Sequence, residues 1–391
     1  MMSQRRILGF VMIFLGLGTI YSQNSDPITI GSKHFIQSEI LSEEREYWIS
    51  LPNSYNQKEL AYKKYPILIL LDGNVHFYAV SGMVNFMSSG NTDKREIPEM
   101  IVVAILNVNR ERDFTPDKVI TRRKNQTGGG DHFLAFLETE LIPQIDQKYR
   151  TKPYRILVGH SLGGLLATHT YMKQNTLFNS FIAIDPSFGT WDNKTMDEKV
   201  GKIDEIAFAR PLFLATANWN KRNLRNRDRH IRFFESIKGK CIGDLNAKQR
   251  YYEEKNHSSV PLPAIYDGLS FIFKGYNYSY REVSSREQLV QHFKNFSNKL
   301  SFDFSPPEEL VNRIGYRFLR SKNIENKKKA LSFFKLNAEN FPTSFNVFDS
   351  LGEAQYILGY EEEAVDSFKK SLELNPNNHN AMKMVEKIKN K

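Results

Sequence analysis

A series of short, continuously apolar runs constrains this chain most strongly. The runs are bounded by turn-forming or polar residues and cover 65–71, 101–105, 155–158, 180–184 and 211–215. Short apolar runs rich in β-branched residues are typical of strands that are buried on both faces of a parallel sheet. Helix-like segments lie between them, notably 133–147 and 162–174. This alternation predicts a layered α/β fold.

The sequence Gly159-His160-Ser161-Leu162-Gly163 has the pattern G-x-S-x-G, and it lies between a predicted strand and a predicted helix. In that context the pattern is typical of a nucleophile elbow, a sharp turn that holds a reactive serine at the end of a sheet. Small residues on both sides let the turn close, and the N-terminus of the next helix stabilises negative charge. We therefore predict that Ser161 is a nucleophile. An inert serine in a tight turn is the alternative.

A nucleophilic serine requires a base, and His257 is the best placed histidine. In folds with such an elbow the base follows the last strand. His257 lies in a polar loop between the strand-like segment 249–252 and a helix-like segment. His169 falls within the helix after the elbow, and His230 falls in a charged helical run that predicts a surface position. An incidental loop histidine is the alternative interpretation of His257.

The acid of the predicted catalytic triad is the residue that the sequence identifies least clearly. We expect it in the loop after the strand 211–215, where Asp228 is the carboxylate that the sequence offers. A surface ion pair between Asp228 and the neighbouring arginines is the alternative. Other residues that could orient the imidazole are Asn218, Asn220, Glu253 and Glu254.

Two backbone N–H groups are needed to bind the oxyanion that forms during ester hydrolysis. One belongs to the residue after the nucleophile, Leu162, and the other to the loop after the strand 65–71. In that loop Asn74 is the predicted donor. A turn that only reverses the chain is the alternative.

The first residues predict export. Residues 1–6 carry two arginines, residues 7–20 are apolar apart from glycines and one threonine, and small polar residues follow. A basic start, an apolar run of ~7–15 residues and small residues after it form a secretory signal. We place this signal peptide at residues 1–23. An uncleaved anchor is the alternative, but a span needs ~18–20 apolar residues. The mature protein is thus expected to be periplasmic or secreted, with no stable membrane insertion.

The C-terminal end shows a repeat with an offset of 34 residues. Ala330, Phe334 and Pro342 recur as Ala364, Phe368 and Pro376. This period is typical of tetratricopeptide repeats, which are pairs of helices. We therefore divide the mature chain into an α/β domain at 27–275, a linker at 276–306 and tetratricopeptide-like repeats at 307–391. A generic amphipathic helical tail is the alternative.

Composition excludes several classes of function. The net charge of +10 is spread along the chain and is mixed with acidic residues, which argues against a nucleic-acid partner. The single cysteine, Cys241, excludes an internal disulfide framework and a Cys-based metal cluster within one chain. No motif indicates a metal or another cofactor.

Motifs throughout 28–275 resemble the esterase branch of the α/β-hydrolases, which includes esterase D, feruloyl esterases and ferric-siderophore esterases. The matching segments are 70–74, 109–116, 128–136, 140–143, 159–164, 185–187 and 256–262. The resemblance implies an α/β-hydrolase sandwich, followed here by a small all-α, tetratricopeptide-like domain. The chain differs from the family's pattern at two positions. The acid position lacks an obvious carboxylate, and Ser258 replaces the glycine that often follows the histidine.

The resemblance also implies a metal-free serine esterase that works through an acyl-enzyme. Siderophore esters, feruloyl or acetyl groups on polysaccharides, and small esters or thioesters are the expected substrate classes. Arg110 and Arg112 would favour an anionic or catecholate-rich ligand, unless they are merely solvated. The alternative is a catalytically weak, esterase-shaped scaffold that binds a protein partner through its repeats.

Overall fold

A single eight-stranded sheet forms the body of the protein. The computed structural model describes residues 27–89, 95–118, 126–173, 176–190, 198–202, 210–219, 224–240 and 246–390. The strands are β1 (Ser32–Ser38), β2 (Glu43–Ser50), β3 (Tyr65–Leu70), β4 (Ile101–Ile105), β5 (Thr151–His160), β6 (Ser180–Ile184), β7 (Leu212–Ala217) and β8 (Ala247–Tyr252). Their order is β1-β2-β4-β3-β5-β6-β7-β8. The pairs β1–β2 and β2–β4 are antiparallel, and the remaining pairs are parallel.

Both faces of the parallel sheet are buried, as the apolar runs predict. Along β3 the side chains of Ile67 and Ile69 join the core on one face, whereas Leu68 and Leu70 join the core on the other. This alternation follows from the two-residue period of a strand. The α/β-hydrolase fold expected from the sequence is therefore confirmed.

Helices cover both faces. Those of the body are α1 (Gly73–Ser88), α2 (Arg110–Phe114), α3 (Gly130–Phe136), α4 (Ile142–Lys148), α5 (Leu162–Met172), α6 (Leu224–Gly239) and α7 (Pro261–Ile272). A π-helical turn at Leu137–Leu141 joins α3 to α4. The C-terminal region adds α8 (Arg286–Leu300), α9 (Glu308–Leu319), α10 (Ile324–Asn340), α11 (Phe345–Ile357), α12 (Glu361–Leu374) and α13 (His379–Lys389).

The C-terminal region is all helical, as expected, and two of its helix pairs share one packing contact. A Cβ atom added to Gly315 of α9 would lie 2.7 Å from the ring of Phe334 in α10. A Cβ atom added to Gly352 of α11 would lie 2.9 Å from the ring of Phe368 in α12. Each glycine therefore admits the aromatic ring of its partner helix. This equivalence supports the repeat interpretation, although the tetratricopeptide assignment stays a prediction.

The stretch 276–306 is not a connector, which corrects the predicted linker. It contains α8, whose Leu289, Phe293 and Phe296 are buried in the same core as β3 and β5. Phe304 packs edge-on against Tyr154 of β5 at 5.1 Å between ring centroids. These apolar side chains complete one face of the sheet, so the body extends beyond Gly275.

Ending the chain at Gly275 is therefore expected to prevent folding. The truncation removes Leu289, Phe293, Phe296, Leu300 and Phe304 from this core. At roughly 2 kcal/mol per buried apolar side chain, the loss is about 10 kcal/mol, which is comparable with the whole stability of a domain. Circular dichroism and urea unfolding measure the outcome.

A chain that ends at residue 343 is the control for this truncation. It keeps every buried residue of that core, the last of which is Leu336. We expect it to fold and to unfold cooperatively in urea. A cooperatively folded chain that ends at Gly275 would contradict the assignment of α8 to the body.

The predicted signal peptide lies outside the described residues. Among the residues that the structure describes, no helix is long and apolar enough to cross a membrane.

Candidate active site

Ser161 lies in a strained turn between β5 and α5. Its backbone has φ 60° and ψ −114°, a left-handed conformation that costs a non-glycine residue about 1–3 kcal/mol. Two hydrogen bonds hold the turn: Ser161 N–H donates to Ile184 O at 2.9 Å, and Ser187 N–H donates to Ser161 O at 3.0 Å. The segment after β6 thus supports the serine predicted from the motif.

Two glycines make the turn sterically feasible. A Cβ atom at Gly159 would lie 2.2 Å from Gly163 O, and one at Gly164 would lie 2.9 Å from Ile184 O. A Cβ atom at Gly163 would make contacts of 3.4 Å, which are ordinary van der Waals distances. The tightest constraints therefore fall on Gly159 and Gly164 rather than symmetrically around the serine.

Replacing Gly159 by alanine is expected to destabilise the fold by more than about 3 kcal/mol, because backbone atoms cannot yield to the new methyl group. Gly82→Ala in α1 is the matched control, since nothing lies within 4 Å of a Cβ atom there. The control is expected to stabilise the protein by roughly 0.5–1 kcal/mol. Urea unfolding measures both changes. Equal effects of the two substitutions would contradict this account of the elbow.

His257 follows β8 and is held by a buried carboxylate. Its Nδ1 lies 2.5 Å from Asp185 Oδ2, and the Asp185 side chain is fully buried directly after β6. Trp219 Nε1 donates to the same oxygen at 2.7 Å, and Ala217 N–H donates to Asp185 Oδ1 at 3.1 Å. Burial opposes ionisation of Asp185, but the hydrogen bond from His257, the nearby His230 and the other donors outweigh it and lower the pKa of the carboxyl.

Asp185, not Asp228, is therefore the carboxylate that contacts the imidazole, which corrects the position expected from the sequence. Asp228 is exposed on α6, four residues into a helix that turns it toward solvent. His230 on the same helix is fully buried rather than on the surface, with Nε2 at 2.8 Å from Pro186 O. The carboxylate of Asp185 lies at the end of β6, which is the neighbour of β5, the strand that carries the elbow.

The other proposed partners of the imidazole lie elsewhere. Asn218 Nδ2 donates to Glu253 O at 2.7 Å, and the side chains of Glu253 and Glu254 are exposed. Asn220 lies outside the described residues. His169, inside α5, contacts Asp131 through Nε2 at 2.9 Å.

Two aromatic rings flank the His257 imidazole. The ring of His160 lies 4.3 Å and the ring of Trp219 lies 4.6 Å from it, measured between centroids. Sequence reasoning missed both contacts, although His160 is the residue directly before the serine. Because the two rings lie against the imidazole, its rotation is restricted.

His160 is expected to make the fold sensitive to acid. Burial, together with the nearby His257 and His76, lowers its pKa from 6.5 to about 4. Between these pH values the unfolded chain binds a proton that the folded chain does not, so stability falls as the pH falls. His160→Gln should remove roughly 3 kcal/mol of this loss. Urea unfolding from pH 7.5 to 4 checks it, and parallel stability curves for the two proteins would contradict it.

Ser161 and His257 are not joined by a hydrogen bond in this structure, which describes both residues. Ser161 Oγ instead lies 3.0 Å from Ser187 Oγ. Hydrogen bonds between a nucleophile and its base are often absent before substrate binds and form in the complex. A rotation of the serine side chain away from Ser187 would be needed to reach the imidazole.

The predicted oxyanion donors both lie in first turns of helices. Leu162 is the first residue of α5, and Asn74 is the second residue of α1. The first N–H groups of a helix have no acceptor within it and carry the positive end of its dipole. Their role as oxyanion donors stays a prediction.

An ion pair ties the turn before α1 to the elbow. Asp72 is buried with φ 56°, and Arg110 donates to its two carboxylate oxygens at 2.6 and 3.0 Å. Arg110 Nη2 also donates to His160 O at 3.1 Å, directly before the serine. Arg112 pairs with Glu43 and Asp113. Both arginines are therefore engaged in ion pairs within the protein, and their role in binding an anionic ligand stays a prediction.

A family profile and two curated relatives all indicate similarity to esterases. A profile of the family named Putative esterase matches residues 38–222. The chain is 30% identical over 138 residues to the ferri-bacillibactin esterase BesA of Bacillus subtilis (strain 168), covering 32% of this chain and 48% of that protein. It is 28% identical over 157 residues to the apo-salmochelin esterase of Escherichia coli O6:H1 (strain CFT073), covering 36% and 46%. The chain thus spans about half the length of these curated relatives.

A solved structure extends the match. The crystal structure of an IroE-like serine hydrolase from Shewanella oneidensis is 28% identical, with a TM-score of 0.70. The alignment covers 79% of this chain and 99% of that chain.

Proposed function

Since the body of this chain belongs to the Putative esterase family of the α/β-hydrolases, we propose that the protein is a serine esterase with the catalytic residues Ser161, His257 and Asp185. One observation carries this proposal. The imidazole of His257 is hydrogen-bonded through Nδ1 to a buried carboxylate, beside a serine in a strained elbow. An imidazole held in this way carries its proton on Nδ1, so Nε2 is available as a base.

The proposed reaction follows the usual two halves of serine hydrolysis. Ser161 Oγ attacks the ester carbonyl and gives its proton to His257 Nε2. The N–H groups of Leu162 and Asn74 bind the oxyanion that forms. His257 then returns the proton to the departing alcohol. In the second half, water attacks the carbonyl of the acyl-enzyme and gives its proton to His257. The bond between the acyl group and Ser161 Oγ then breaks, and His257 returns the proton to Ser161.

We propose a siderophore ester with an aromatic acyl group as the substrate. Two relatives named above are siderophore esterases, which supports this class. Exposed apolar side chains follow the carboxyl ends of four strands, the edge of the sheet at which Ser161 lies: Val75, Val108, Trp219 and Leu262. Because Arg110 and Arg112 are already paired, we assign recognition of the acyl group to this apolar rim.

Export is part of the proposal. It rests on the basic start, the apolar run and the polar residues at 1–23. A protein partner of the helical pairs also remains a proposal.

The esterase-shaped scaffold is the weaker alternative. The lack of a carboxylate in the loop after β7 favours this scaffold, whereas the contact of Asp185 with the imidazole opposes it.

Hydrolysis of three esters tests the proposed function: p-nitrophenyl butyrate, ethyl ferulate and a catechoyl-serine trilactone. We expect Ser161-dependent turnover of all three, with kcat/KM for the trilactone at least tenfold above the others. Comparable values would contradict the siderophore assignment alone. Turnover that is equal in Ser161→Ala would contradict the esterase itself.

A further inference from the structure

A cavity lies at the opposite end of the sheet from Ser161. Its volume is about 310 Å³, within the usual range for small-molecule sites. Residues before β3, β4 and β5 form one wall, and residues of the C-terminal region form the other. Lys152 lines the cavity near the start of β5, whereas Ser161 follows the end of the same strand. At ~3.3 Å per residue, the strand separates them by roughly 30 Å.

Three hydrogen-bond donors in the cavity wall have no hydrogen-bond partner among the described residues: Lys152 Nζ, the Tyr276 hydroxyl and Asn340 Nδ2. The Lys152 ammonium lies 5.6 Å from the centroid of the Phe304 ring. Burial and the nearby Lys63 lower its pKa, since no carboxylate offsets them. Asn340 Nδ2 is buried without an acceptor. A buried donor without an acceptor, such as Asn340 Nδ2, is costly, and a ligand that accepts hydrogen bonds would relieve it. The partly buried Lys152 and Tyr276 would offer such a ligand two further donors.

The carboxylates of the cavity wall do not supply that acceptor. Glu99 pairs with Lys63, and Glu309 lies 2.9 Å from Arg95. Glu308 accepts hydrogen bonds from Tyr62, Ser344 and Asn346. Among the described residues of the wall, no carboxylate therefore pairs with the Lys152 ammonium.

Much of the remaining wall is apolar and includes Pro66, Pro98, Phe304, Pro307 and Phe341. The polar residues Lys64, Ser305 and Thr343 also line it. A ligand that fits must therefore combine a compact anion with an apolar body.

We propose that this cavity is a binding site for a small organic carboxylate, with the carboxylate on Lys152 and Tyr276 and its apolar body against Phe304 and Phe341. Both walls would contact the ligand, so its binding would also hold the C-terminal helices against the body. The site is separate from the ester-cleaving centre, and its test requires no catalysis.

Thermal unfolding and calorimetric titration of the full-length protein with benzoate, phenylacetate and hexanoate test this site. Benzamide is the neutral control ligand at matched ionic strength. We expect at least one carboxylate to bind saturably and to raise Tm, and benzamide to do neither. Lys152→Met should weaken this binding at least tenfold, because it removes a charged donor. Lys383→Met, on the exposed face of the last helix, should leave it unchanged.

Tyr276→Phe provides a second test that keeps the volume of the side chain. It should weaken binding severalfold through loss of one hydrogen bond. Saturable binding of none of the three carboxylates would overturn the proposal. Binding that is equally tight in a folded Lys152→Met or Tyr276→Phe variant would place the ligand elsewhere and would overturn it as well.

Discussion

Ser161→Ala and His257→Ala are each expected to lower kcat for ester hydrolysis by about 10⁴–10⁶-fold, because attack on the carbonyl needs both the nucleophile and its base. The double variant should be scarcely slower than either single variant, since the two residues act as one unit. Steady-state hydrolysis of p-nitrophenyl butyrate measures kcat. His379→Ala, on the surface of α13, is the matched histidine control and should retain full activity.

A folded His257→Ala variant with most of its activity would contradict the assignment of the base. If the fold-loss of kcat in the double variant equals the product of the losses in the two single variants, the two residues act independently. Circular dichroism and urea unfolding of each variant separate these outcomes from a loss of structure.

Asp185→Asn is expected to lower kcat by about 10⁴-fold, because an amide at this position favours the wrong tautomer of the imidazole. Asp228→Asn is the matched control, since Asp228 is exposed on α6 and its removal should leave kcat unchanged. The contrast follows from the hydrogen bond of 2.5 Å between Asp185 and His257. Hydrolysis of the same ester, measured at pH 7.5, compares the two variants.

The opposite ranking, with a large loss in Asp228→Asn and none in Asp185→Asn, would contradict the geometry of the site. A loss in both variants would mean that α6 also positions the imidazole. Trp219→Phe gives a graded test, because it removes one donor to Asp185 and keeps an aromatic ring beside His257.

The positions of Ser161 and His257 are predictable from the sequence because each depends on local order. Ser161 lies in a short motif between a strand and a helix, and His257 follows the last strand of the sheet. The apolar runs identified the parallel strands for a similar reason, since burial on both faces requires a continuous run. Run 101–105 matches β4 and run 180–184 matches β6.

The acid was missed because its position depends on which strands are neighbours. We expected it after β7, but the carboxylate at the end of β6 is closer to the imidazole in the folded sheet. A signal was present: Asp185 directly follows a buried strand and precedes a proline. The contacts of the His160 and Trp219 rings with His257 join three distant segments of the chain, so no local pattern could predict them.

The packing of α8 was also predictable in part. Leu289, Phe293, Phe296 and Leu300 recur at helical spacing, and Ser285 caps the helix by accepting from Gln288 N–H. The linker interpretation depends on placing the end of the α/β domain at Gly275. The core that α8 completes is assembled from distant parts of the chain, and this is why the boundary at Gly275 was misplaced.

Mass spectrometry after treatment with a fluorophosphonate tests the central claim most directly, because the reagent forms a covalent bond only with an activated serine. We expect one phosphonyl group per chain, located on Ser161, and no label in Ser161→Ala. Labelling should slow by orders of magnitude in His257→Ala and Asp185→Asn but not in Asp228→Asn. A folded protein that stays unlabelled, or that carries the label on another serine such as Ser187, would contradict it.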